Sequence, residues 1–301
     1  MEKKQDKKKI YIAIGLVVLL IIGIVGGTYI AKVKENSKVN ILCMGIDKYV
    51  TMTERHPHTN SIGQADVVFL ISMDTYKKTM DIIAVPRDTM VNVEKYNSAM
   101  ESLGEEELQL CLQYAYADGT INSCELTQKR VNEIFEGIEI DAYAAINFSA
   151  IKKINDAVGG VEVTMQEDYT VLNPLFVKGE TLLLKGQNAL EFIQKRDTSV
   201  AHTAYTRIDR QKQYLTEFMK QAKKTIKEKP ELVSELYTIL KDDMVTNLGL
   251  EDVLSIVTTV IDCPFEKIEF HKVEGEIIND GRYECFYPDE NHIKELKEIL
   301  K

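Results

Sequence analysis

The sequence predicts a domain of the α/β or α+β class, with helices covering a central sheet, behind one membrane-spanning helix. Two observations predict it. Between Val39 and Lys227, short apolar runs closed by Gly, Pro or Asp alternate with longer stretches of helical spacing. Ahead of them, Ile10 to Ala31 carries no charged residue. Those 22 residues would rise about 33 Å as a helix, close to the ~30 Å hydrocarbon core of a bilayer. Lys3, Lys4, Lys7, Lys8 and Lys9 precede them, which places residues 1–9 in the cytoplasm and the bulk of the chain outside the cell membrane. A cleaved signal peptide would have a shorter apolar core, about 7–15 residues, and a small-residue cleavage site. Gly26-Gly27-Thr28 matches such a site poorly.

The elements follow in order. Lys32 to Lys38 is a polar linker. Val39 to Gly45 is apolar and ends in a turn, so it reads as a buried strand. Tyr49 to Gly63 is a polar loop containing Pro57. Asp66 to Met73 and Met80 to Val85 are two further strands, joined as a hairpin by the turn-forming Asp74 to Lys78. Pro86 ends the third strand, because proline cannot donate to a ladder. A helix is expected over Glu105 to Tyr116, with Leu108, Leu112 and Ala115 on one side and the acidic run Gly104 to Glu107 as its solvated first turn. Asp118-Gly119 breaks it. Glu125 to Phe135 is helical, Ala142 to Asn147 a strand, Phe148 to Val158 a helix, and Gly159-Gly160 turns into a strand over Val161 to Met165. Gly186 to Ile193 forms a short helix. A long one runs from Thr206, its expected N-cap, to about Lys227. Pro230 marks a boundary. Beyond it come helices over Glu231 to Leu240 and Leu250 to Ile261, a strand over Ile268 to Val273, a turn at Asp280-Gly281 and a final helix from Asp289. The expected organisation is therefore a tail (1–9), an anchor (10–31), a linker (32–38), a main domain (39–229) and an α/β extension (230–301) packed on it.

Net charge is −10, and no basic cluster lies outside the N-terminal tail, which argues against nucleic acid as a partner. Of five cysteines, Cys43 sits in an apolar run and reads as a buried free thiol. An oxidising exterior permits disulfides among Cys111, Cys124, Cys263 and Cys285; the local pairs Cys111–Cys124 and Cys263–Cys285 are expected, with small core residues as the alternative.

No catalytic triad, zinc-ligand spacing or Gly-rich phosphate loop is visible. His56-Pro57-His58 reads as surface, and Ser98 and Ser149 lack histidine neighbours. Acids and arginines instead cluster at strand ends, where α/β sites form. Asp47 follows the first strand, Asp66 opens the second, and Arg87 and Asp88 follow the third. Arg196-Asp197 ends a helix, and Arg207, Arg210 and Gln211 share one helical face. Exposed ion pairing is one reading of these arginines. The other is an anion docked by guanidiniums and free N–H groups, with two carboxylates holding a magnesium ion that bridges phosphate oxygens.

Several stretches together resemble the LytR-CpsA-Psr family. They are Ile41 to Asp47, Asp66 to Met73, Val85-Pro86-Arg87-Asp88-Thr89, Tyr114 to Ala117, Asn155 to Val161, Leu184 to Leu190, and Arg207-Ile208-Asp209-Arg210-Gln211, in the family's order over Val39 to Leu215. The resemblance implies an α/β/α layered domain with a central mixed sheet. It also implies a transferase that moves a glycopolymer, such as teichoic acid or capsule, from a polyprenyl-pyrophosphate carrier to peptidoglycan through a phosphodiester. Magnesium assists, with manganese as an alternative, and the lipid would lie in an apolar cleft beneath the arginines. Carried over by position, Asp47 and Asp66 would hold the metal. Arg87, Arg196, Arg207 and Gln211 would hold the pyrophosphate, with Arg210 reaching a phosphate or a carboxylate. Asp88 would orient Arg87 or help activate the acceptor. The sequence departs from the family's pattern at Gln64 and Gln194, which stand where it usually has arginine, and at Ala204, where an acid is common. Those two glutamines retain donors but no charge, so a second expectation is a relative that binds the lipid pyrophosphate as a sensor or scaffold.

Overall fold

A computed structural model describes residues 38–58, 60–195, 203–279, 281 and 284–301; for 203–209, 211, 212, 215, 262 and 265 it describes the backbone alone. The expected anchor Ile10 to Ala31 lies outside the described residues. Among those described, no helix is long and apolar enough to cross a membrane. The described chain forms two compact units, 38–149 with 241–301, and 150–240.

The first unit is built on a six-stranded mixed sheet. Its strands are β1 (Lys38–Ile46), β2 (Ala65–Asp74), β3 (Thr79–Val85), β6 (Ala142–Asn147), β9 (Met244–Thr246) and β10 (Ile268–Lys272), in the order β10-β3-β2-β1-β6-β9. β2 pairs antiparallel with β1 and with β3, and β9 antiparallel with β6. β6 joins β1 and β10 joins β3 in parallel. Leu42 and Met44 point to one face of β1 and Ile41 and Cys43 to the other, and all four are fully buried. Both faces of the central strand are therefore covered, which is why its sequence is a continuous apolar run rather than an alternating one. Asp74 sets the β2–β3 hairpin: its Oδ1 accepts the N–H of Tyr76 at 3.1 Å and of Lys77 at 2.8 Å.

On the face of Leu42 and Met44 lie α1 (Leu110–Ala115), α2 (Ile121–Ile134) and α8 (Glu290–Leu300), which contribute Leu110, Tyr114, Cys124, Val131, Ile293, Leu296 and Leu300 to one core. The segment from Lys241 onward is thus part of the same sheet and core. It supplies both edge strands, α7 (Leu250–Asp262), α8, and a hairpin of β11 (Gly275–Asn279) and β12 (Glu284–Pro288).

Two expectations about this unit are corrected. The acidic run does not open a helix: Gly104 to Glu107 lies in β5 (Ser102–Gln109), antiparallel to β4 (Met90–Tyr96). Lys95 pairs with Glu106, and Arg130 of α2 reaches both Glu94 and Glu105. Those cations lie across the hairpin, where an extended run presents its carboxylates to them, so pairing overrides helical spacing. The expected disulfides are also absent among the described residues. No disulfide joins any of the five cysteines, and all five are buried. Cys111 and Cys124 sit in separate helices, and the Cys263 thiol donates to the Lys78 carbonyl at 3.3 Å while Cys285 lies on β12. They behave as the small core residues of the alternative reading.

The second unit contains α3 (Phe148–Ala157) from Ala150 onward, the hairpin of β7 (Val161–Thr164) and β8 (Thr181–Leu184), α4 (Gly186–Gln194), α5 (Thr203–Glu228) and α6 (Leu232–Ile239). The stretch Asn155 to Val161 is structural here. Buried Asn155 donates to the Leu184 carbonyl at 3.1 Å and accepts the Tyr214 hydroxyl at 2.7 Å, and Asp156 accepts the Gly186 N–H at 2.7 Å, which anchors the start of α4. α5 begins before Thr206, so that residue lies within the helix and is not its cap.

Candidate active site

The site in the first unit starts from an irregularity. Along β1 and β2, Gly45 pairs with Val67 but Ile46 pairs with Ala65, leaving Asp66 as an extra residue in the ladder. Such a bulge re-aims a side chain that regular pleating would commit to one face. The Gln64 backbone then ties the two acids together. Its N–H donates to Asp47 Oδ1 at 2.7 Å, and its carbonyl accepts the N–H of Asp47 at 3.1 Å and of Asp66 at 3.0 Å. Nearby Lys48 is buried and donates to the Met52 carbonyl at 2.7 Å, fastening the loop that follows Asp47.

The segment after β3 is held at every carbonyl. Pro86 O accepts the Thr89 N–H and hydroxyl, Arg87 O the Cys111 N–H, Asp88 O the Phe286 N–H, and Thr89 O the Leu110 N–H. Two of these donors open α1 and have no acceptor within their own helix. Arg87 and Asp88 therefore project from a fixed backbone. Arg87 Nη1 donates to Asp66 Oδ1 at 2.6 Å, and its Nε lies 3.4 Å from Asp88 Oδ1. Asp88 Oδ1 also accepts Gln109 Nε2 at 2.9 Å, and the same Gln109 nitrogen reaches the Glu284 carbonyl at 2.8 Å.

Charge follows this geometry. Desolvation raises the Asp47 carboxyl; the Gln64 N–H opposes that rise and the neighbouring Asp66 carboxylate adds to it. Desolvation also raises Asp88, with Arg87 opposing and Glu284 and Asp66 adding. For Arg87 burial works against the charge, but Asp66 and Asp88 outweigh it and raise the guanidinium. Burial pushes the Cys111 thiol up to about 12, so it is no nucleophile.

Of the sequence-predicted residues, Asp47, Gln64, Asp66, Arg87 and Asp88 lie in this one cluster. The others fall in the second unit. Arg210 is 1% exposed; its guanidinium lies 5.1 Å from the Tyr169 ring centre and 5.8 Å from that of Phe192, and Nη2 donates to the Lys195 carbonyl. Gln194 is half-buried at the end of α4. Arg207 and Gln211 sit on α5, and their side chains lie outside the described residues, as does Arg196. Sequence reading missed Gln109 and Glu284, because nothing linear connects positions 88, 109 and 284.

Together the mixed sheet, the bulged acid and the clamped arginine–aspartate pair at strand ends define an α/β domain that gathers carboxylates and a guanidinium at one end of its sheet. The chain belongs to the LytR_cpsA_psr family, whose sequence profile matches residues 3–301. It is 26% identical over 225 residues to a polyisoprenyl-teichoic acid–peptidoglycan teichoic acid transferase TagU of Oceanobacillus iheyensis, covering 75% of this chain and 63% of that one. It is 25% identical over 274 residues to the corresponding TagV of Bacillus subtilis, covering 87% and 63%. The match thus spans less than two thirds of these relatives' length. The crystal structure of a protein from Streptococcus agalactiae superposes with a TM-score of 0.67 at 19% identity over 92% of this chain and 90% of that one.

Proposed function

We propose that the protein is a membrane-anchored phosphotransferase. It would move an anionic glycopolymer, such as teichoic acid or capsule, from a polyprenyl-pyrophosphate carrier to a peptidoglycan hydroxyl outside the cell. The relatives named for teichoic acid transfer support this reading. The observation that carries it is Arg87, held between Asp66 and Asp88 on a backbone capped at four successive carbonyls. Phosphoryl transfer asks mainly for positioning and charge neutralisation. In the proposed reaction the acceptor hydroxyl oxygen bonds to the polymer-linked phosphorus while the pyrophosphate P–O bond breaks. Lipid phosphate leaves and the hydroxyl proton departs.

Arg87 binds the phosphate charge, and Asp88 holds it through Nε; the raised affinity of the Asp88 carboxyl for a proton, set first by desolvation, suits it to take the one the hydroxyl loses. Asp47 and Asp66 fit a magnesium or manganese ion. Both are hard oxygen donors, close enough for one to raise the other, and their protein hydrogen bonds fall on Oδ1. Such an ion supplies neutralisation of the pyrophosphate. Arg196, Arg207, Arg210 and Gln211 remain proposed as ligand-side residues of the second unit. The anchor Ile10 to Ala31 would keep the protein in the leaflet that holds the lipid, raising their effective concentration.

The full chain with magnesium and polyprenyl-pyrophosphate-linked polymer should show turnover, and Arg87→Ala should reduce it by roughly 100-fold or more, as for loss of a charged contact to a developing anion. Arg87→Ala at the wild-type rate would overturn the reading. Neutral Gln64 and Gln194 favour the second reading, a lipid-pyrophosphate sensor; tight lipid binding without turnover would select it.

A further inference from the structure

At the edge of the sheet, away from the acid–arginine cluster, Asp81 of β3 and Glu269 of β10 are direct partners in the parallel ladder. Like charges directly opposite one another on paired strands are unfavourable. His271, two residues along β10, returns to the same face, and its Nε2 lies 2.8 Å from Asp81 Oδ1. Asp81 and His271 are each about one-fifth exposed and Glu269 is exposed. One ligand atom from each of the three falls within 4.8 Å of the others. Among the described residues Glu269 makes no ion pair, and the imidazole offsets at most one of the two carboxylates, and only when protonated.

From this geometry we propose that Asp81, Glu269 and His271 form a divalent transition-metal site of zinc type. Donors in a tetrahedral site with bonds of ~2.0–2.1 Å stand about 3.3 Å apart, so ligation asks exposed Glu269 to swing in by a rotamer change and the Asp81–His271 pair, now 2.8 Å apart, to open slightly. One imidazole with two carboxylates, and only three protein ligands, suits zinc or its neighbours and leaves a fourth position for water. Magnesium and calcium, which take six or more oxygen ligands, fit poorly. The site is separate from the one proposed for phosphoryl transfer. Arg87 lies six positions beyond Asp81, past the end of β3 at Val85, roughly 20 Å at the rise of a strand. The ion would bind β10 to β3 and neutralise the facing carboxylates, stapling an edge strand from the chain's last third onto the sheet.

The test is titration of the purified full chain in detergent with Zn2+, followed by calorimetry, and with Co2+, followed by its visible absorption. One site with tetrahedral cobalt bands is expected, together with a melting temperature raised by several degrees at saturating zinc. His271→Ala and Glu269→Gln should each weaken binding at least tenfold and abolish that shift. A D47N/D66N double variant should leave both unchanged. Glu269 is exposed, so its variant keeps the test independent of any folding defect at His271. Wild-type binding in both edge variants, no binding in the wild type, or loss confined to D47N/D66N would each overturn the proposal. None of these readouts depends on transferase activity.

Discussion

At Asp88 two neighbours pull in opposite directions on one proton. Gln109 donates to its Oδ1 and favours the carboxylate; Glu284, brought close by β12, disfavours it. If Asp88 must be ionised to hold Arg87, turnover is present above its raised value and falls as pH drops through that value. Gln109→Leu removes the donor and leaves Glu284 in place, so the carboxyl rises further. The acidic limb of the pH–rate profile should move to higher pH, and the plateau should fall roughly ten- to a hundredfold, the worth of one hydrogen bond to a charged group, ~1.5–3 kcal/mol. Rates across pH for wild type, Gln109→Leu and Glu284→Gln check this, and the last should move the limb the other way. A profile that keeps its acidic limb in Gln109→Leu would detach Asp88 from the proton. Asp47, Asp66, Arg87 and Asp88 were legible in the sequence because strand ends and punctuation by Pro86 expose them. Gln109 and Glu284 were not, because they reach the site only through β4–β5 pairing and the Thr89–Phe286 bridge.

The turn between the loop and β2 decides where both acids point. Gly63 has φ +90°, and a Cβ there would meet Ile46 Cγ2 at 2.7 Å. Gly63→Ala therefore combines left-handed strain with a clash, costing on the order of 1–3 kcal/mol. It would also displace Gln64, whose backbone links Asp47 to Asp66. Gly104, at φ +89° with nothing near its would-be Cβ, is the control. Thermal melts should show both variants destabilised, by roughly 2–4 °C per kcal/mol at this size. Assays well below either transition should show lost turnover in Gly63→Ala alone. Equal activity in the two would mean the turn does not position the acids. The same comparison explains what sequence could read of the elements. β1, β2 and β3 are continuous apolar runs because both faces are buried, and they were found. β4, β5, β11 and β12 form two-stranded ribbons with largely polar or exposed residues and so lack that signal, and over β5 the helical spacing of Leu108, Leu112 and Ala115 outvoted the strand. Asp66 opened a strand on paper; only pairing register makes it a bulge.

For the whole molecule, the question is whether the residues after Pro230 are an appendage or part of the fold. A boundary there was the sequence's natural reading, since proline interrupts a long helix. Yet β9 closes one edge of the sheet against β6 and β10 the other against β3. Val273, Phe286, Ile293, Leu296 and Leu300 are at most 4% exposed and belong to the same core as β1 and α2. Burying five such side chains is worth about 1.5–3 kcal/mol each, a sum of roughly 7–15 kcal/mol that matches the ~5–15 kcal/mol by which a typical protein is stable at all. A chain ending at Lys229 should therefore lose its cooperative unfolding transition, expose β3 and β6 edges to aggregation and become protease-sensitive throughout. Circular dichroism melts and limited proteolysis of the truncated and full chains would show it. A truncated chain with an intact melt and a protease-resistant core would make the segment an appendage after all. The expected result would also make the Phe286 N–H and the Glu284 carbonyl necessary partners of the Arg87–Asp88 segment rather than a later addition to it.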